Sequence, residues 1–168
     1  MPSLAPTVPI SATHIERAAA VAGLFVTALI AVAIARHDTS AAAHPVAMSP
    51  WLIIHLVTII PAMPLGAFVL FRPKGDRLHR LCGRIWAGLM VIAAISSFGI
   101  VELMGHLSPI HLLSVLTLVS VPRAILAIRA GKVWPHRRAM TIVYVSSVVA
   151  GLFVFLPTRM LGRWLVGM

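Results

Sequence analysis

The feature that most constrains this chain is an apolar run from Ala18 to Ala35 that contains no charged side chain. A run of this length is enough for a helix to cross a lipid bilayer. Further apolar segments follow, and 60% of the 168 residues are hydrophobic while only 11% are charged. Such usage lies far outside that of soluble domains. We therefore predict an integral membrane protein with a single membrane domain, residues 1–168.

Five segments are long and apolar enough, or nearly so, to form transmembrane helices. Helix-start chemistry supports their edges: Ser49 and Ser108 each precede a proline, Asp76 is a candidate N-cap, and Thr13 with Glu16 fits a capping box. The predicted fold is all-α, with helices at 14–36, 50–72, 78–103, 109–130 and 136–158. The last four form an up-down four-helix bundle over 50–158, with 14–36 as a peripheral first helix and 159–168 as an interfacial tail.

A signal peptide is the alternative for the first segment, because small residues from Ala41 onward offer a cleavage site. The run from Ala18 to Ala35 is longer than the hydrophobic region usual in signal peptides, which favours a retained helix.

Basic residues are concentrated around two of the predicted loops. Because cytoplasmic loops of membrane proteins carry an excess of lysine and arginine, we predict that both loops and the N-terminus are cytoplasmic and that the C-terminus lies outside a bacterial inner membrane. This distribution explains the net charge of +10 without a nucleic-acid partner. The residues concerned are Arg72, Lys74, Arg77, Arg80 and Arg84 in the first group and Arg123, Arg129, Lys132, Arg137 and Arg138 in the second.

The second and third predicted helices resemble the fourth and fifth in layout. His55 and His111 are 56 positions apart, and His79 and His136 are 57 apart. In each unit a Ser-Pro pair precedes the first histidine and a glycine precedes a His-Arg pair. These similarities predict a parallel helix-pair repeat. The alternative is that the two units acquired similar residues independently, because helix boundaries favour the same residue types.

Four of the eight histidines lie in the first turns of a predicted helix. In an up-down bundle the second and fourth helices are diagonal partners, as are the third and fifth, so His55 is paired with His111 at one end and His79 with His136 at the other. Two imidazoles across a bundle axis can supply both axial ligands of a haem iron, or part of the ligand set of a smaller metal. Guanidinium groups near the second pair suit haem propionates, namely those of Arg80, Arg84, Arg137 and Arg138.

A simpler interpretation applies to part of this set. His79 and His136 stand beside arginines at cytoplasmic helix starts, where an interfacial side chain needs no ligand, and we favour this reading for these two alone. His55 and His111 have no flanking charge, and an ionisable group inside a span usually has a partner. The remaining histidines fit solvated or interfacial positions: His14, His37, His44 and His106.

The run "WLIIHLVTIIPAMPLGAFVLFRPKGDRLHRLCGRIW", followed by His111 and "GKVWPHRRAMTIVY", resembles a family of small predicted bacterial membrane proteins classed as a domain of unknown function. That family is marked by a histidine in one span, a His-Arg-x-x-Gly start to the next, and a second histidine pair ending in His-Arg. The corresponding positions, within roughly residues 50–158, are His55, His79-Arg80 with Gly83, His111, and His136-Arg137. The resemblance implies a membrane location without an established activity.

The alternation of histidines is also similar to that of the ascorbate-reducible b-type cytochromes, in which the second and fourth core helices ligate one haem and the third and fifth the other. This likeness is topological, since the histidine spacings here are shorter and no ascorbate-site motif is shared. It implies haem b as cofactor and transmembrane electron transfer, with a quinone or redox proteins as partners within the lipid bilayer.

Two other classes of function stay open. One is a haem-free accessory or assembly subunit of a larger membrane complex. The other, less favoured, is a metal-ion or proton transporter that uses the same histidines. The sequence has no hydrolase or transferase motif, so whether the chain is an enzyme is undecided.

Overall fold

A computed structural model describes residues 13–36, 49–100 and 111–153. These residues form five α-helices and contain no strand. The helices are α1 (His14–Arg36), α2 (Pro50–Phe71), α3 (Arg77–Gly99), α4 (His111–Arg129) and α5 (Val133–Phe153). The all-helical prediction is confirmed, while the predicted interfacial tail, 159–168, lies outside the described residues.

The predicted caps of the first three helices are confirmed. The Ser49 hydroxyl accepts a hydrogen bond from the Leu52 amide at 3.2 Å, and the Asp76 carboxylate accepts one from the His79 amide at 2.7 Å. At α1 the Thr13 amide donates to Glu16 Oε2 at 2.8 Å and the Glu16 amide donates to Thr13 Oγ1 at 3.3 Å, which is a capping box.

The α5 start differs from the predicted one, because the helix begins at Val133 rather than at 136. Pro135 is accommodated since the first amides of a helix have no intrahelical acceptor. The tight turn before it depends on Gly131, whose φ of 74° lies in the left-handed region. The Gly131 amide donates to the Ile128 carbonyl and the Lys132 amide donates to the Ala127 carbonyl. These hydrogen bonds cap the C-terminus of α4, and α5 begins at the next residue.

Four of the described helices, α1 to α4, are long and apolar enough to cross a membrane. The first turns of α5 contain Trp134, Pro135, His136 and two arginines, which lowers the mean hydropathy of this helix. Its crossing of the bilayer stays a prediction.

The packing follows chain order. α2, α3, α4 and α5 each contact the next, and α5 returns to contact α2, so these four helices close an up-down bundle. Within the described residues the main chains of α2 and α4 do not approach closely, nor do those of α3 and α5, which makes these the diagonal pairs that the alternation of the chain predicts. The two-helix repeat itself stays a prediction.

The first helix, which the sequence suggests is peripheral, packs against both α2 and α5. Its Ala20 and Val26 side chains are fully buried and belong to the same apolar cluster as the bundle core. α1 therefore fills the groove between α2 and α5.

Tyr144 of α5 lies at the centre of this core. Its hydroxyl donates to the Met63 carbonyl at 3.0 Å, and its ring is 6.2 Å from that of Trp86. A β-carbon at Gly23 or at Gly66 would overlap the tyrosine ring, so both glycines are required by this close approach. An apolar core around Tyr144 and Trp86 thus lies between the two ends of the bundle.

Candidate functional site

The four candidate histidines lie at two ends of the bundle. We call the end where α1, α3 and α5 begin the basic end, because Arg72 to Arg84 and Arg129 to Arg138 meet there, and the end where α2 and α4 begin the opposite end. His79 and His136 are at the basic end, and His55 and His111 are at the opposite end, as their positions in the sequence predict.

At the opposite end, His55 of α2 is bound to the main chain of α3. Its Nδ1 is 2.8 Å from the Ala93 carbonyl oxygen, and the Ser96 hydroxyl lies 3.5 Å from the same nitrogen. Since a carbonyl only accepts, Nδ1 carries the proton of this bond. The Nε2 atom of His55 is thereby left in the acceptor form that binds a metal.

His111 of α4 is bound to α3 from the other side. Its side chain is buried, its Nε2 is 3.2 Å from the Ser97 carbonyl oxygen, and its ring centre is 5.7 Å from that of Phe98. Ser97 Oγ also lies 2.7 Å from Ser114 Oγ. His55 and His111 are therefore hydrogen-bonded to carbonyls one turn apart on α3, the helix that lies between α2 and α4.

At the basic end, His136 of α5 contacts α4 through a hydrogen bond between its Nδ1 and the Ala124 carbonyl oxygen at 3.0 Å. His79 of α3 lies near the Val69 carbonyl, and its buried Nδ1 has no hydrogen-bond partner among the described residues. The structure thus places His79 and His136 at the same end of the bundle, on α3 and α5, while their pairing around a ligand stays a prediction.

Glu16 forms a buried ionic cluster at this end that the sequence did not predict beyond its capping role. Its side chain is almost fully buried and accepts two hydrogen bonds from the Arg137 guanidinium, at 2.7 and 2.6 Å. Thr141 Oγ1 lies 3.4 Å from Glu16 Oε1, and Lys74 Nζ lies 3.9 Å from Oε2. One feature of the sequence could have indicated this ion pair. The chain has only four acidic residues and fourteen lysines and arginines, so a buried acid is expected to pair with a basic side chain.

The loop between α2 and α3 carries two further charged contacts. Burial lowers the pKa of Lys74, while the nearby Glu16 carboxylate acts to raise it. The Arg72 guanidinium, 2.7 Å from Asp76, and the His79 amide hold the pKa of the Asp76 carboxyl below its usual value. These contacts fix the start of α3 and therefore the position of His79.

The four arginines predicted to bind propionates are in different surroundings. Arg80 and Arg84 are exposed and line a shallow surface depression with Arg77 and Leu81. Arg137 is bound to Glu16, and the Arg138 guanidinium stacks over the Trp134 ring at 5.3 Å. Their propionate role stays a prediction.

No group of three or more histidine, cysteine, aspartate or glutamate side chains is placed to hold a metal ion in the part of the chain that the structure describes. A site with two histidine ligands, such as that of a haem iron, is a different arrangement.

The family described as predicted membrane protein (DUF2306) matches residues 52–164, which is more than half of the chain and includes all four candidate histidines. The chain belongs to the DUF2306 family. The sequence-based resemblance to a membrane family of unknown function is thereby confirmed, and lipid contact follows from it. No curated protein and no solved structure matches this DUF2306 chain.

Proposed function

We propose that this DUF2306 protein transfers electrons across the membrane through b-type haem bound by histidines at the two ends of its bundle. The observation that carries the proposal is the anchoring of His55 and His136, one at each end. Each ring donates from Nδ1 to a main-chain carbonyl, at 2.8 Å for His55 and 3.0 Å for His136. Histidines that ligate metals characteristically use one nitrogen in this way and present the other to the metal.

The basic end supports the proposal most directly. His79 and His136 are on the diagonal helices α3 and α5, whose main chains do not approach closely within the described residues. The buried Nδ1 of His79 lacks a partner there, and such an atom costs about 1–3 kcal/mol when it is left unsatisfied. A ligand bound at this nitrogen and shared with His136 would give the atom a partner.

The opposite end supports it less strongly. His55 is oriented with Nε2 available, but His111 contacts the Ser97 carbonyl through Nε2. Binding iron through that nitrogen would require His111 to give up this hydrogen bond.

When bound at such positions, haem would supply one-electron redox chemistry. The chain's own contribution is to orient the imidazoles by the carbonyls of Ala93 and Ala124 and to exclude water between the two ends. The apolar layer between the two ends includes the buried Tyr144, Trp86, Met63 and Met90.

A reduced-minus-oxidised visible spectrum of the protein in detergent, after expression with ample haem, tests the proposal. We expect the bands of a low-spin b-type haem. His79→Ala and His136→Ala should each remove the same spectral component, and His14→Ala, at an exposed position in α1, should remove none. A protein without haem bands under these conditions would end the proposal.

A haem-free accessory subunit of a membrane complex is the second candidate. One observation favours it: His55, His111 and His136 all have hydrogen-bond partners within the protein itself. In that case the purified protein is colourless. The substitutions His55→Ala, His111→Ala and His136→Ala then lower its thermal stability and change no visible absorbance. Among the described residues, no cluster of three metal-ligating side chains supports the metal-ion transporter.

A further inference from the structure

Three arginines on α3 form a charged strip at the basic end. Arg77, Arg80 and Arg84 are spaced by three and four residues, which places them along one side of the first two turns of the helix. All three are exposed, and together with Leu81 they line one surface depression. We call these three residues the arginine strip.

The arginine strip has no counter-ion among the described residues. Of the four acids in the chain, Asp76 is paired with Arg72 and Glu16 is enclosed by Arg137 and Lys74. The other two, Asp38 and Glu102, lie outside the described residues. Arg80 donates a hydrogen bond to the Gly75 carbonyl at 2.7 Å, which orients its guanidinium without neutralising it. Within the described part of the chain, three neighbouring positive charges therefore have no acidic partner, and an external anion can supply one.

The side of α3 that adjoins the arginine strip is apolar. Leu78, Leu81 and Ile85 are 45%, 53% and 50% exposed, although each is a large hydrophobic side chain. In a helix long and apolar enough to cross a membrane, such side chains face acyl chains. An occupant of this surface therefore has to be anionic at the level of the guanidinium groups and apolar along the helix.

We propose that the arginine strip binds the phosphate group of an anionic phospholipid, whose acyl chains lie against Leu78, Leu81 and Ile85. Guanidinium groups present planar pairs of donors that match phosphate oxygens, and juxtamembrane basic residues attract anionic lipid. The arginines are exposed whereas the His79 Nδ1 atom is buried, so the strip can bind lipid in protein that holds no haem. Arg80 and Arg84 are also the predicted propionate partners, and the haem spectrum of the arginine variants distinguishes the two roles.

Native mass spectrometry of the full chain, delipidated in detergent, measures this directly. Phosphatidylglycerol is titrated against phosphatidylcholine of the same chain length. We expect phosphatidylglycerol to bind preferentially and the triple variant R77Q/R80Q/R84Q to lose about fivefold in affinity per arginine removed. The matched control R17Q/R123Q/R129Q removes the same charge from exposed positions on α1 and α4 and should retain the preference. The single variant R84Q, with one exposed substitution, should show a partial loss.

Four outcomes overturn the proposal. The first is equal binding of the two lipids by the unmodified protein, and the second is an equal loss of affinity in the control variant, which would indicate general surface charge. The third is displacement of the lipid by inorganic phosphate or glycerol 3-phosphate at equal concentration, which would assign the site to a free phosphate. The last is a change in haem absorbance in R77Q/R80Q/R84Q with unaltered lipid binding, which would assign the arginines to propionates.

Discussion

Arg137 of α5 and Glu16 of α1 form a two-point ion pair, with Nε to Oε1 at 2.7 Å and Nη2 to Oε2 at 2.6 Å. The two residues are 121 positions apart, and the pair joins α1 to α5. Glu16 is nearly inaccessible, so its charge is stabilised by the protein and not by water.

Removing one partner of this pair should therefore destabilise the protein strongly. We expect Glu16→Gln to lower the free energy of unfolding by about 3 kcal/mol, because Arg137 is left partly buried without its counter-ion. Denaturant titration in detergent measures the change. The double variant E16Q/R137Q should recover part of the loss, since neither charge remains. A single variant as stable as the unmodified protein would show that α1 is not held by this contact.

The packing of Tyr144 predicts opposite effects for two glycine substitutions in the same bundle. Gly66→Ala should lower the midpoint of thermal unfolding, because the added methyl group overlaps Tyr144 and Trp86. Gly88→Ala meets no atom and should be neutral or stabilising by up to about 1 kcal/mol, the usual advantage of alanine in a helix. Equal effects at the two positions would contradict the proposed role of the Tyr144 contact.

The start of α3 should weaken in acid. Its N-cap, Asp76, has a pKa below the ordinary value because of Arg72 and the His79 amide, so the folded state holds the proton less readily than the unfolded state. The stabilising contribution is present above the unfolded pKa and is lost as pH falls through the lowered pKa. The thermal midpoint of the unmodified protein should therefore decrease toward acid pH more steeply than that of Asp76→Asn. Parallel pH profiles would show that the N-cap carboxylate does not contribute.

Local chemistry explains which parts of this structure the sequence predicts. The caps at Ser49 and Asp76 depend on residues that are close together in the chain, so the sequence predicts them. The alternation of helix direction follows from repeated crossing of the bilayer and is predicted for that reason. The bond from His55 to the Ala93 carbonyl depends on the depth at which α2 packs against α3, which no spacing in the sequence reveals. For the same reason the sequence indicates at which end Glu16 lies without identifying Arg137 as its partner.

The unpaired Nδ1 of His79 leads to a prediction that separates the two candidate functions. In haem-free protein, His79→Leu removes a buried polar atom that has no partner among the described residues and should leave stability unchanged or raise it by about 1 kcal/mol. If this ring is an iron ligand, the same substitution in protein expressed with ample haem should abolish one haem component and lower the thermal midpoint, because a bound cofactor stabilises only the folded state. His14→Leu, at an exposed position in α1, is the control and should change neither spectrum nor midpoint. Stabilisation by His79→Leu under both conditions would favour the haem-free accessory subunit, since a ligand cannot be removed from an occupied site without cost.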